Sequence, residues 1–282
     1  MHKSNLLLSS LIAVALAAPA ARAADWQDTS LHYWYGSAFA EPGIGTVDSG
    51  TNIRKNVLSF THASGYKYGG NFLNIDMLFS NARDPINGPN VGAGATEVYV
   101  VYRHHIGLNK LFASKPFAFG PVSDVNIVGG IDLNTKNTNF APGKIMPTGG
   151  LDVSLAVPGF LNLGVMVDKE LNSNGIVGKT VAFDPTVMFT AAWHIDIASL
   201  PLSFEGFGLL NLPKGKDGFG NATVSELLLH PKLMYDVGTL FGRTGYQVGV
   251  GYQVWLNKFG NDHTKVPGCF EKAAFAEAAI HL

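Results

Sequence analysis

The stretch Asn71-Phe72-Leu73-Asn74-Ile75-Asp76-Met77-Leu78-Phe79-Ser80 decides the fold class. Leu73, Ile75, Met77 and Phe79 fall on one side of an extended chain, with Asn74 and Asp76 on the other. Successive side chains of a strand point to opposite faces, so a repeat of two is a strand with one apolar and one polar face. The rhythm recurs along the chain. Val98, Val100, Tyr102 and Ile106 oppose Glu97, Tyr99, Arg103 and His105, while Val125, Ile127, Ile131 and Leu133 oppose Asn126, Asp132 and Asn134. Leu151, Val153 and Leu155 oppose Asp152 and Ser154, and residues 187–195 and 246–256 alternate in the same way. Less regular strands over 29–39, 57–64, 160–167, 202–212, 223–237 and 272–282 bring the number to about twelve, most of them near the length that crosses a bilayer as a tilted strand.

The connections fall into two kinds. Pro158-Gly159 and Ser199-Leu200-Pro201 are tight, whereas 41–53, 81–94, 134–147 and 257–268 are long and polar. Short turns at one end and long loops at the other are the pattern of an outer-membrane barrel, and an even strand number returns both termini to the periplasmic side. A soluble β-sandwich also alternates. Two features oppose it here. Gly129, Gly130, Gly206, Gly208, Gly249 and Gly251 lie inside strands, where glycine lets a wall curve. Tyr33-Trp34-Tyr35, Tyr66, Tyr68, Tyr246 and Trp255 lie near strand ends, as interfacial aromatic girdles require.

Composition agrees with this reading. Of 282 residues 46% are hydrophobic and only 15% charged, against about 25% charged in ordinary soluble domains. A formal charge of -1 leaves no electrostatic footprint for nucleic acid, and the lone Cys269 excludes a disulfide framework. At the N-terminus a basic start, an apolar run from Leu6 to Ala17 and Ala21-Arg22-Ala23 predict a signal peptide over 1–23, with cleavage leaving 24–282 as the barrel. The expected class is therefore all-β: a transmembrane antiparallel β-barrel of about twelve strands in the cell outer membrane, exported after removal of its leader.

Three segments carry a family resemblance: Ser30-Leu31-His32-Tyr33-Trp34-Tyr35-Gly36; the run from Phe60-Thr61-His62-Ala63-Ser64-Gly65 through Tyr66-Lys67-Tyr68-Gly69-Gly70 into Asn74-Ile75-Asp76; and Glu97-Val98-Tyr99-Val100-Val101-Tyr102-Arg103. They resemble the Tsx-like nucleoside-specific channels, a family that also includes the OmpK-type outer-membrane proteins. The resemblance implies a monomeric twelve-stranded barrel with a narrow lumen and selective passive uptake of nucleosides; the reading as a whole calls for outer-membrane lipid around the barrel and no cofactor. It also implies an inward Asp76.

A nucleoside path needs aromatic faces for stacking and paired donors and acceptors for hydroxyls and base edges. The polar faces supply Asp76, Glu97, Arg103, His105, Asp132 and Asp152 as lumen candidates. The bland alternative is that these groups pair with one another as braces. Two other functions compete with a channel. One is a lipid-acting hydrolase, because Leu58, Phe60, His62 and Ser64 share a face and His-x-Ser could form a nucleophile and its base; no third member to orient the His is evident. The other is a structural barrel used as a phage or colicin receptor. The common catalytic signatures are missing from the sequence, and His104 and His105 face opposite ways, so they cannot share one metal ion.

Overall fold

Alternation becomes a closed wall. In the computed structural model residues 24–46, 52–86, 92–197 and 199–282 are described. Seven strands run in order, β1 (Trp26–Phe39), β2 (Ile53–Tyr66), β3 (Gly69–Ser80), β4 (Thr96–Gly107), β5 (Val122–Lys136), β6 (Gly143–Leu155) and β7 (Gly159–Asp168). A short hairpin follows, β8 (Leu171–Asn174) and β9 (Lys179–Ala182), and then β10 (Thr186–Asp196), β11 (Leu202–Asn211), β12 (Glu226–Asp236), β13 (Tyr246–Leu256) and β14 (Phe270–His281). Apart from the hairpin, each strand pairs antiparallel with two neighbours, and β1 pairs with β14, giving a closed 12-strand barrel. The β8–β9 hairpin, absent from the sequence reading, extends β6 at the loop end through Lys144↔Asn172. Closure leaves no edge with unpaired backbone groups, the condition for a sheet in hydrocarbon.

The faces follow the parity read from the sequence. Leu31, Leu58, Ile127, Leu151, Leu163, Val165, Phe189, Leu233 and Val250 stand exposed on the outside, and Ser30, Ser59, Asp132, Asp152, Ser203, Glu271 and Glu277 are buried inside. An apolar exterior around a polar interior inverts a soluble domain and suits lipid outside. No helix among the described residues is long and apolar enough to cross a membrane. The leader expected over 1–23 lies outside the described residues.

Three expectations need correction. The long 134–147 connection is mostly strand: β5 runs to Lys136 and β6 begins at Gly143. The turn end is not uniformly tight, since β4 and β5 are joined by residues 108–121, which include a one-turn helix α1 (Leu108–Leu111). Finally, Trp34 and Trp255 are not girdle residues. Trp34 packs inside against Phe39 and Phe275, with centroids 5.8 and 5.2 Å away, and its Nε1 donates to Ser59 Oγ at 3.2 Å. Trp255 Nε1 donates to Glu226 at 2.7 Å, and the Lys258 ammonium lies 4.4 Å from its ring. Tyr33, Tyr35, Tyr68 and Tyr246 do stand exposed.

The strand glycines have a second use besides curvature. Gly251 of β13 sits directly across from Phe275 of β14, and a Cβ there would fall on the Phe275 ring; at Gly249 a Cβ would meet Met234. Wall positions without a side chain thus leave room for the large inward groups beside them.

Candidate functional site: the lumen and its mouth

From the loop end downward the lumen has three tiers. The uppermost is a web of buried charge. Glu41, just past β1, accepts from Lys55 of β2, from Lys136 of β5 at 3.2 Å and from Lys258 at 3.4 Å. Lys258 also bonds Glu271 at 2.9 Å and the Ala40 carbonyl at 2.8 Å, and Lys136 reaches Asp84 at 2.9 Å. The chain just past β1 is thus tied to β2, to β5 and to Lys258. Burial alone would raise the Glu41 carboxyl, but the Lys258, Lys55 and Lys136 ammoniums outweigh it and hold the group well below the usual carboxylate range. A second pair, Lys214–Glu170 at 2.5 Å, is similarly buried; burial opposes ionisation of Glu170, and Lys214 and Lys144 prevail and lower its pKa.

Among these charges opens a cavity of about 250 Å³. Its lining combines aromatic rings (Tyr99, Phe140, Phe183, Phe219, Phe259) with carboxamides (Asn134, Asn139, Asn172, Asn174, Asn261). Lys144 donates to the Tyr99 hydroxyl at 2.6 Å, and Asn134 Nδ2 donates to Glu97. Most of the ammonium and carboxylate groups here already have partners of opposite charge. Four of the five amides are themselves held, Asn134, Asn172 and Asn261 through Nδ2 to Glu97, Glu170 and the Lys258 carbonyl, and Asn174 through Oδ1, which accepts from the Ile176 and Val177 amides, so each brings one end of its carboxamide, with the rings, to the cavity.

The middle tier is aromatic and apolar. Phe207, His230, Phe275 and Trp34 form a stack on β11, β12, β14 and β1, with successive centroids 5.1, 4.5 and 5.2 Å apart. Val128, Met166 and Met188 form a buried cluster on β5, β7 and β10. The lowest tier is ionic again. His32 Nδ1 meets Glu277 at 2.8 Å, Lys232 bridges Glu277 at 2.6 Å and Glu205 at 3.4 Å, and His194 meets Glu205 at 3.2 Å.

All six lumen candidates point inward, yet they do not form one site. Arg103 donates to Asp132 at 2.6 Å, and His105 Nδ1 meets Asp152 at 2.9 Å. Tyr99 adds a bond to Asp132 at 3.1 Å, and Asn126 adds one to Asp152 at 2.5 Å. These four are cross-strand pairs of the bracing kind. Asp76 faces Ser59 and Tyr99 in register. Only Glu97 lines the mouth cavity. Glu41, Lys258 and the loop asparagines were missed because they lie beyond the alternating segments, where periodicity carries no signal.

His62 and Ser64 face outward near the turn end, and the His62 Nδ1 contact is with Thr29 Oγ1 at 2.8 Å. That bond engages the ring with a hydroxyl where a hydrolase would place an orienting carboxylate. Ser64→Ala and the parent protein are expected to show the same background phospholipid hydrolysis in mixed micelles; loss of hydrolysis in the variant alone would restore the enzyme reading. Burial pushes the Cys269 thiol up to about 12, so it stays protonated and unreactive.

No family model matches the chain, and no curated protein matches it in sequence. Solved structures do resemble it. The NanC porin aligns with a TM-score of 0.52 at 12% identity, covering 90% of this chain and 100% of that one. An outer-membrane channel from Pseudomonas putida F1 aligns at 0.48 and 8% identity, covering 94% and 100% of the two chains. The translocator domain of the autotransporter NalP from Neisseria meningitidis aligns at 0.43 and 9%, covering 99% and 95%. At such identity the NanC likeness establishes the fold, that of the outer-membrane β-barrels, and nothing finer. The likeness to Tsx-like channels rests on the quoted sequence segments.

Proposed function

We propose that this protein is an outer-membrane channel for passive, selective diffusion of small uncharged polar solutes, with nucleosides as the best-fitting class. The carrying observation is the mouth cavity, where five aromatic rings and five asparagines surround about 250 Å³ while the neighbouring lysines and carboxylates are largely paired with one another. Ring faces stack a base or the apolar face of a sugar, and carboxamides both donate to and accept from hydroxyls and base edges. Saturated charge pairs offer little to a free anion or cation. Arg103–Asp132 and His105–Asp152 act below as braces that fix the polar wall past which the solute moves. The protein works as a monomer and needs no cofactor in this reading. Block of single-channel current by adenosine or thymidine tests it.

A further inference from the structure

The turn end carries a patch that solute passage does not use. Residues 108–121 read Leu-Asn-Lys-Leu-Phe-Ala-Ser-Lys-Pro-Phe-Ala-Phe-Gly-Pro, with two lysines and no acidic residue. The segment is held in shape by Asn109, whose amide N–H donates to Asp124 at 3.0 Å and whose side-chain oxygen accepts from Phe117 N–H at 2.9 Å. Lys110, Leu111, Phe112, Lys115 and Phe119 stand exposed, Phe119 at 61%. The β2–β3 turn lies alongside, joined through the Gly107 N–H to the Tyr68 carbonyl at 2.9 Å, and adds exposed Lys67 and Tyr68.

Directly above, the lipid-facing wall carries a polar aromatic cluster. His104 bonds the Tyr66 hydroxyl at 2.8 Å and Asn71 at 2.7 Å, and Tyr102 donates to Asn71 at 2.9 Å. Hydrocarbon-facing strand, tyrosine belt and a basic, phenylalanine-rich ledge thus follow one another on the β2–β4 side. None of Lys67, Lys110 and Lys115 forms an ion pair with a described residue. Nearby carboxylates are engaged, Asp124 by Asn109 and Asp28 by His281 at 2.9 Å; Asp25 at the start of β1 is exposed, and three lysines leave the patch net positive.

We infer that this ledge is a docking surface for anionic phospholipid in the periplasmic leaflet, with Phe112 and Phe119 inserted at the acyl boundary and Lys67, Lys110 and Lys115 set against phosphate. Aromatic and leucine side chains place a segment at the interface, and each lysine beside an anionic surface strengthens binding. A fluid headgroup layer needs no shaped groove to receive these side chains, only apolar rings beside unpaired positive charge.

The full chain folded in vesicles gives the test. Trp26, exposed at the start of β1 and opposite Gly65, is a built-in reporter beside the patch. The emission that a Trp26→Phe variant lacks is its signal among the four tryptophans, and quenching of that signal by brominated phosphatidylglycerol is compared with that by brominated phosphatidylcholine. The parent is expected to favour phosphatidylglycerol about tenfold, and about 1 M salt, where the screening length is about 3 Å, should abolish the preference. Lys67→Gln/Lys110→Gln/Lys115→Gln should bring it near unity. Lys179→Gln/Lys216→Gln/Lys265→Gln, the same charge loss at the loop end, should leave it intact. A parent indifferent to headgroup or salt, a triple variant that keeps its preference, or a loop-end variant that loses as much would each overturn the proposal. The salt arm decides even if a variant fails to form a barrel.

Discussion

Glu41→Gln is expected to loosen the mouth and to lower stability by about 3–5 kcal/mol, the usual cost of removing one partner from a buried ion pair. The loss falls mainly on Lys55. Lys136 keeps Asp84 and Lys258 keeps Glu271, whereas Lys55 is buried with Glu41 as its ion-pair partner. Because Glu41 ties the chain just past β1 to β2, β5 and Lys258, the variant should also conduct more and discriminate less between solutes. Urea unfolding in vesicles and single-channel recording read the two effects. Adding Lys55→Met should recover most of the stability, since an apolar residue replaces the stranded charge, but not the selectivity. The pH dependence has a definite sign. A depressed carboxyl contributes stability in full above its ordinary value of 4.5 and loses it only as pH falls through the depressed folded value. The Glu41 brace should therefore hold unchanged from neutral pH down to about 5 and fail only in stronger acid.

Gly251→Val should destabilise the middle tier although it only adds methyl groups to the wall. Its first side-chain carbon would coincide with the Phe275 ring, which itself stacks on His230 at 4.5 Å and Trp34 at 5.2 Å. Overpacking of a filled interior costs about 1–3 kcal/mol or more, and here the ring has no free space toward His230 or Trp34. Phe275→Ala alone should cost about 3–5 kcal/mol through the void it leaves. The double variant Gly251→Val/Phe275→Ala should be less destabilised than the sum of the two, because the new methyls occupy vacated volume. Folding yield by heat-modifiable gel migration, with urea midpoints, checks this; additive losses would mean that the ring and the glycine are not coupled.

Much of the wall was legible in the sequence because parity is local. Leu73, Ile75 and Asp76 declare their faces without reference to any distant residue, and so do Glu97, Arg103 and His105. The same parity already opposed the girdle reading of Trp34: Tyr33 and Tyr35 point to lipid, so the residue between them points to the lumen. Trp255, between Val254 and Leu256, fails for the same reason. The mouth was not legible. Glu41 meets Lys136 and Lys258 only after the barrel closes and the loops fold over it, and the β8–β9 hairpin is too short for alternation to declare itself. The glycine at 251 looked like a bend because its partner, Phe275, lies on the next strand. Charge pairs across strands were foreseen as a possibility for the six lumen candidates, but which acid meets which base is set by register, and register is not written in any single strand.

The central claim is that the barrel passes small uncharged polar solutes through a mouth lined by rings and amides. Single-channel conductance of the purified protein in planar bilayers, titrated with adenosine or thymidine, tests it most directly. The account predicts small discrete channels whose current falls as nucleoside is added, with weaker block in a Tyr99→Ala/Asn134→Ala variant. Absence of conductance, or a current that nucleosides leave unchanged, would contradict the claim while leaving the barrel in place.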